Sequence, residues 1–498
     1  MSEAQEALGY ERLGEKRLSL ADAVAQSAGF MAPVFSSALL IPLIAGLNNA
    51  GKGAGVATPF AVILSAIGIF ALGWIVAAYA RRIHAAGSLY DYVTDGFGER
   101  IGFVAGLVYY VGTLGLTAGV PLLFGGLTQD FLKAEWNIGV PYWIISLLYG
   151  VALFLVLYLG VRISTRAQLT LVAISLAVVF VFFLTVVFRG GDGGNTIKPF
   201  LPSEAADGWT GIFFGVLYGV LIFVGFETAA NLGEETAEPG KSIPRAIFLA
   251  VGLITVYYII AAYAQVVGFG LNIGNFLQSP APLFDLGAPG AFGSVWVDRL
   301  LQIVVLLDIA AVGVGAAVST SRGFFALGRD RRIPGVLAHV SPTRGTPSVA
   351  VTMTVAVALL MVLLARTMDG VFPYLIPGAQ YFQLFVWLAT FGGFALVVVY
   401  AALALGAFRG LRGYHNPAMV GITGVLGFLI SAGAIAGSVV TKTESGWSLV
   451  PYPVNLIYWI TLALVVVGLI LAYTVKGRPR ASDVLTDLRA PAATPPMP

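Results

Sequence analysis

Two acidic side chains sit where acids are costly. Asp308 lies inside the otherwise uncharged apolar run Ile303–Ala317, and Glu227 closes a second apolar run that begins near Trp209. An acid in such surroundings needs a cation, a proton or a hydrogen-bonding partner. Both are therefore candidates to hold a positive charge or to carry a proton. For Asp308 a hydrogen bond to a neighbouring helix is the plainer alternative. The hydroxyls of Ser175, Ser319 and Thr320 also fall in apolar stretches. They are of the type that contributes to a sodium site, although serine and threonine equally serve ordinary packing between helices. The two acids lie in different runs with no histidine near them, so the clustered groups of an enzyme site are missing. No phosphate-binding P-loop is present, which argues against ATP-driven chemistry.

The elements that must position these groups are membrane helices. Of 498 residues, 58% are hydrophobic and 11% charged, against about 25% charged in an ordinary soluble domain. Pro59–Tyr79 and Ala167–Phe188 hold no charge, and each is near the roughly 20 residues a helix needs to cross the hydrocarbon core. Strands of a membrane barrel are about half that length and alternate in polarity. The chain has no cysteine, which excludes disulfides and cysteine-held metals. His84, His339 and His415 are scattered through basic loops; solvent exposure is expected for each, and no metal or cofactor is expected. Residues 1–19 are polar and lead into a full span, so no cleavable signal peptide is expected.

The apolar runs predict twelve spans: α1 Leu20–Leu47, α2 Pro59–Tyr79, α3 Ile101–Gly126, α4 Tyr142–Leu159, α5 Ala167–Phe188, α6 Trp209–Ala230, α7 Ala246–Phe269, α8 Val295–Phe325, α9 Val349–Ala365, α10 Tyr381–Phe408, α11 Ala418–Val440 and α12 Val454–Val475. The tail beyond Gly477, rich in Pro and Ala, reads as disordered. With both termini in the cytoplasm, 21 of the 28 Lys and Arg residues fall on the cytoplasmic side, leaving Lys52, Lys133, Arg189, Lys198, Arg299, Arg366 and Lys442 outside. That split obeys the positive-inside rule and places a multi-pass protein in the cell membrane. The basic loops are thereby accounted for, and no nucleic-acid partner is expected.

Two spans carry interruptions. In α1 the run Gly29-Phe30-Met31-Ala32-Pro33 places a proline where it removes a backbone donor. In α6, Gly219 and Gly225 flank Val220–Val224, and glycine lowers the cost of leaving helical geometry. Interruptions in corresponding helices are the best sequence pointer to a transporter binding site. Gly211, Gly215 and Gly219 also form a small-residue ridge suited to close packing.

The stretch GFETAANLGEETAEPGKSIPRAI, Gly225 to Ile247, resembles the signature of the amino acid–polyamine–organocation (APC) permease superfamily. Gly87, Tyr90, Tyr92 and Gly98 resemble its segment between α2 and α3, and Arg329, Asp330 and Pro334 its loop after α8. The resemblance covers about residues 20–475. It implies an all-α membrane fold of two inverted five-helix repeats (20–188 and 189–408), with α1 and α6 broken, followed by two further helices (409–476). Short tails, 1–19 and 477–498, flank them. It also implies secondary active transport of amino acids by alternating access, as symport or exchange.

The resemblance further implies how a substrate is held. Free N–H groups at a half-helix N-terminus suit a carboxylate, and free carbonyls at a half-helix C-terminus suit an ammonium. Around Gly29 and the break in α1, donors must come from Ala32, Val34, Phe35 or Ser36, because Pro33 has none. Here Met31–Phe35 departs from the Gly-Ser-Gly-Ile-Phe type of segment found in many relatives. On α6, Leu221, Ile222, Phe223 and Val224 are the expected carbonyl donors to an ammonium. Leu221 stands where relatives place an aromatic gate, a role then open to Phe223 or Phe226. Thr113 and Thr117 match pocket positions of a related antiporter, and Ser175 matches the position of a lysine in proton-coupled relatives. The expected partners are a small amino acid or amine, a proton or sodium ion, and the bilayer. A neutral amino acid is the first expectation, a cationic amino acid or polyamine the alternative.

Overall fold

A computed structural model describes residues 13, 18–47, 53–191, 193–279, 281–365, 380–443, 446–449 and 454–478. Most of both predicted tails lies outside these residues. Among the described residues eleven helices are long and apolar enough to cross a membrane. The remaining predicted span, α6, falls short of that length because it is interrupted. Its helix covers Gly208–Leu221, turns occupy 222–227, and a 3-10 segment follows at Thr228–Leu232.

The observed bounds are α2 Thr58–Ala80, α3 Glu99–Trp136, α4 Tyr142–Leu159, α5 Val161–Arg189, α7 Pro239–Gly268, α8 Val295–Arg329, α9 Ser348–Ala365, α10 Gln380–Gly410, α11 Pro417–Val439 and α12 Leu456–Thr474. Helix α7 starts well before the expected Ala246, so Pro244 lies inside it. A short helix, Leu89–Phe97, joins α2 to α3, and an antiparallel strand pair, Val440–Thr443 with Gly446–Leu449, follows α11. Neither was expected. The fold class is as expected: a helical membrane protein in which α1 and α6, the first helices of two five-helix repeats, are both broken, with α11 and α12 appended.

Helix α1 starts at Leu20 because Ser19 and Asp22 cap it reciprocally, the Asp22 carboxylate accepting from the Ser19 N–H at 2.9 Å. It runs to Met31, stops at Ala32 (φ 50°, ψ 65°), and resumes at Pro33, continuing as helix to Ala45 through a π-helical turn at Ser36–Leu40. Helices α1 and α3 are the most enclosed, with 78% of each apolar window buried, against 28% for α4 and 22% for α12. The first two therefore form the middle of the bundle and the last two its rim. The glycine ridge on α6 does pack closely: a Cβ at Gly219 would lie 2.0 Å from the Ser65 Oγ of α2.

At the break in α6, Gly225 has φ +103°, and a Cβ there would sit 2.1 Å from the Phe30 ring of α1. Only glycine satisfies both conditions. The two interruptions are thus pressed together.

One face of the bundle gathers both described ends of the chain. Leu18 pairs by backbone with Glu235 and Ala237 at 3.0 and 2.9 Å, and the Arg478 N–H donates to the Asp330 carbonyl. The acidic run after α6 is pinned to the end of α8. Arg322 holds Glu235 through two nitrogens at 2.6 and 3.0 Å, both side chains fully enclosed. Arg329 holds Glu234 at 2.8 Å, and the Tyr90 hydroxyl donates to Asp330 at 3.0 Å. Glu238 meets only the exposed Lys241, a contact worth little. His84 and His415 are half-buried rather than exposed, and only His339 stands in solvent. The reason for His415 is its edge-on contact with Trp74.

Truncating Arg322 to alanine leaves Glu235 buried without its partner. A loss of about 3–5 kcal/mol is expected for a buried pair broken on one side, read as a lowered melting temperature in detergent. The double variant Arg322→Met/Glu235→Leu should recover most of it; equal instability of the two would show that charge pairing is not what holds this face. Gly225→Ala should lower the melting temperature sharply, and an unchanged value would refute the close approach to Phe30.

Candidate substrate and ion site

The restart of α1 is where its free backbone donors gather. Pro33 has no N–H, and the Ser36 N–H turns inward to the Ala32 carbonyl at 2.8 Å. The Val34 and Phe35 N–H groups point out of the helix, and a single oxygen takes both. Asp308 Oδ2, from the middle of α8, accepts from Val34 at 3.0 Å and from Phe35 at 2.8 Å. Asp308 is completely buried, and its second oxygen, Oδ1, has no hydrogen-bond partner among the described residues. The sequence showed an isolated acid; the structure shows it seated on a half-helix N-terminus.

The carbonyl side of the site is organised by Tyr258 of α7. Its hydroxyl lies 2.7 Å from the Ile222 carbonyl and 3.1 Å from the Met31 carbonyl. These are the carbonyls at the two breaks, one on α6 and one on α1. A hydroxyl has one proton to donate, so Tyr258 serves one of them at a time; Met31 is also served by the Ser36 hydroxyl at 3.0 Å. The Leu221 and Phe223 carbonyls accept from Val224 and Phe226 within the turns. Further bonds bind the breaks to each other: the Ser27 hydroxyl donates to the Phe226 carbonyl at 2.8 Å and accepts from the Ala229 N–H at 3.1 Å.

Aromatic rings border this region. Phe35 meets Phe385 of α10 edge-on at 6.0 Å, Phe223 meets Tyr258 edge-on at 5.2 Å, and Phe226 lies 5.5 Å from Tyr400. Phe223 and Phe226 are fully enclosed, so neither faces lipid. Leu221 is half-buried and points its side chain toward Gly393 of α10.

Glu227 keeps different company from Asp308. It is fully buried just past the turns of α6, and its Oε1 accepts from the Tyr109 hydroxyl of α3 at 2.5 Å, while Oε2 has no partner among the described residues. The two threonines on α3 spend their hydroxyls locally, Thr113 on the Tyr110 carbonyl and Thr117 on the Thr113 carbonyl. Thr117 also meets Thr320 of α8 at 3.1 Å.

The three ion-site candidates do not converge. Ser319 donates to Asn231 at 3.0 Å, Thr320 pairs with Thr117, and Ser175 turns back to the Leu171 carbonyl of its own helix. The side chain of α5 that does reach α1 and α8 is Gln168. Its amide nitrogen donates to the Ala311 carbonyl at 3.3 Å, and a Cβ at Gly29 or Gly315 would fall 2.2 or 2.3 Å from it. Gly29 therefore makes room for an amide. Gln26 adds a second amide between the same helices, donating to the Gly315 carbonyl at 2.9 Å. Among the described residues no group of three His, Cys, Asp or Glu side chains is placed to hold a metal ion.

Sequence reasoning missed Tyr258, Gln26, Gln168 and Tyr109. The glutamines did carry a signal, as polar amides within apolar runs. The tyrosines did not stand out, because a tyrosine in a membrane helix has an apolar body and many uses.

Comparison with known proteins agrees with this architecture. The family model described as amino acid permease matches residues 27–472, a stretch that includes both breaks, Glu227 and Asp308. The branched-chain amino acid permease BcaP of Bacillus subtilis is 24% identical over 332 residues, 62% of this chain and 67% of that protein. An uncharacterized transporter of Mycobacterium tuberculosis is 28% identical over 434 residues, 84% of this chain and 88% of that protein. The chloroplastic cationic amino acid transporter 7 of Arabidopsis thaliana is 28% identical over 291 residues, 54% of this chain and 48% of that protein. With the match running through both breaks and both buried acids, the chain belongs to the amino acid permease family and is a transporter rather than an enzyme.

Proposed function

We propose that the chain is a secondary active transporter that moves amino acids, or amines closely related to them, across the cell membrane by alternating access around the breaks in α1 and α6. The observation that carries this reading is Tyr258, whose one hydroxyl touches the freed carbonyls of both breaks. An ammonium brings three N–H donors. It can satisfy such carbonyls in place of the tyrosine, and the half-helix ends favour its charge. The repeats that rock against one another are residues 20–188 and 189–408.

Two readings of the substrate compete. The name of the Bacillus permease favours a neutral amino acid, the first expectation from sequence, and that of the plant transporter a cationic one. The neutral, zwitterionic reading requires a seat for the substrate carboxylate, and the position of Asp308 bears directly on it.

Coupling to a proton or to sodium is carried by Asp308, Glu227 or the hydroxyls of Ser319 and Thr320 in this reading. Uptake by Asp308→Asn measured across pH tests the proton branch: an affinity and a pH dependence both unchanged from wild type would remove Asp308 from coupling. A sodium gradient that leaves wild-type uptake unchanged removes the hydroxyls.

The transport reading itself is tested by uptake of a labelled panel of amino acids and amines into proteoliposomes. Accumulation or exchange is expected for at least one compound, and Tyr258→Phe should strengthen its apparent affinity about tenfold, because the ammonium then no longer displaces a hydroxyl hydrogen bond of roughly 1.4 kcal/mol. If nothing in the panel accumulates or exchanges, the reading fails.

The basic face is assigned to the cytoplasm. Because the chain has no cysteine, single-cysteine labelling is clean. A membrane-impermeant maleimide applied to whole cells should label Ser203→Cys and spare Thr343→Cys; the reverse pattern would invert the orientation.

A further inference from the structure

A helix N-terminus carries a partial positive charge and unpaired N–H groups, so it draws an anion. In α1 that anion is already present. The helix resumes at Pro33 and runs to Ala45, and its two outward donors, Val34 and Phe35, both end on Asp308 Oδ2. While Asp308 is ionised, a substrate carboxylate brought to this seat meets a carboxylate of the protein at contact distance, and like charges so placed repel strongly where little water screens them. Asp308 is fully buried, with no solvent beside it to move into.

The other half of Asp308 faces the opposite need. Oδ1 is buried and lacks a hydrogen-bond partner, and no Lys, Arg or His among the described residues pairs with Asp308. A buried acid with an idle oxygen calls for a donor. The Tyr258 hydroxyl joins the freed carbonyls of Met31 and Ile222. Beside the hydroxyls of Tyr258 and Ser36, the breaks present a carboxylate oxygen and the main-chain carbonyls of Met31 and Ile222 as acceptors. The backbone donors that a carboxylate would need are spent. Phe35 and Phe223 supply apolar surface beside them.

We propose that Asp308 is a built-in counter-ion filling the seat of a substrate carboxylate, so that the substrate is a primary amine without a free carboxylate. This rests on the transport reading above and narrows it to one substrate class.

Matched pairs test it on the wild-type protein. Lysine against cadaverine, and leucine against isoamylamine, differ only in the carboxylate. Binding to the purified protein and exchange in proteoliposomes should favour the amine of a pair by at least tenfold. An amino acid that binds as tightly as its amine, or more tightly, overturns the proposal while leaving the transport reading intact. If no amine and no amino acid binds or exchanges, the transport reading falls and this inference falls with it.

Two variants sharpen the result. Asp308→Asn keeps an oxygen for Val34 and Phe35 but removes the charge, and should weaken amine binding tenfold or more. Asp308→Ala vacates the seat and should move the preference toward the amino acid of each pair. Unchanged selectivity in a variant that purifies as a single species would show that Asp308 does not set it. The matched pairs on wild type decide the question even if neither variant folds.

Discussion

Two peptide N–H groups in the middle of a membrane protein impose a demand that the surrounding helices must meet. Where water is scarce, every backbone donor has to find an acceptor inside the protein. Breaking α1 at Ala32 frees such donors, and Pro33 reduces their number by lacking its own. Val34 and Phe35 remain, and Asp308 accepts from both. That requirement fixes how α8 lies against α1. The two helices must meet at the level of the break, and the amides of Gln26 and Gln168 join them further along, at Gly315 and Ala311. Glycine at 29 and 315 leaves the space for the Gln168 amide. Helices α1, α5 and α8 are in this sense one unit, stitched by polar contacts at three levels.

Much of this was legible in the residues. The break in α1 was visible because proline cannot donate, and the break in α6 because glycine recurs around it. Asp308 was visible as a lone charge. What the chain could not display was pairing. Val34 and Asp308 are 274 residues apart, and nothing local relates them, so the sequence does not show that the protein supplies an acceptor of its own to these donors. The same limit affected α5. Position by position, Ser175 was the expected contact, but a serine hydroxyl is short enough to bond its own helix and does so. The longer Gln168 reaches across. Tyr258 was hidden for a different reason: its ring reads as apolar filling until the carbonyls it bridges are in view. The short helix before α3 and the strand pair after α11 carry no span-length apolar signal by which to find them.

The halves of the broken helices share some partners and differ in others. The first half of α1 is bound to the far half of α6 through Ser27 and Thr228, whose hydroxyls meet Phe226, Ala229 and the Gln26 carbonyl. The second half of α1 is held by side chains of α7 and α8, which the first half also touches. Ser37 meets the Tyr257 hydroxyl at 2.8 Å, the Gln265 amide donates to the Ser37 carbonyl at 2.9 Å, and Asp308 holds the start. The first half of α6 rests by its glycines on α2 and on the residues just before it.

That division bears on how the protein would open. On the transport reading, exposing the breaks to the basic face requires the first half of α1 and the end of α6 to leave α8. The contacts in the way are specific: the fully enclosed Arg322–Glu235 pair, Arg329–Glu234, and the backbone pairing of Leu18 with Glu235 and Ala237. All of them join the acidic run after α6 to the end of α8 or to the start of α1. In the state described here this face is therefore shut. A buried ion pair yields little net stability relative to apolar packing, yet is costly to separate one partner at a time. Such contacts hold until the whole layer parts together, and water reaching both ions then recovers the cost of separation. The same chemistry would be wrong at the break itself, where the substrate must come and go singly. There the polar groups are one carboxylate, a few hydroxyls and main-chain carbonyls, held by single hydrogen bonds rather than by ion pairs.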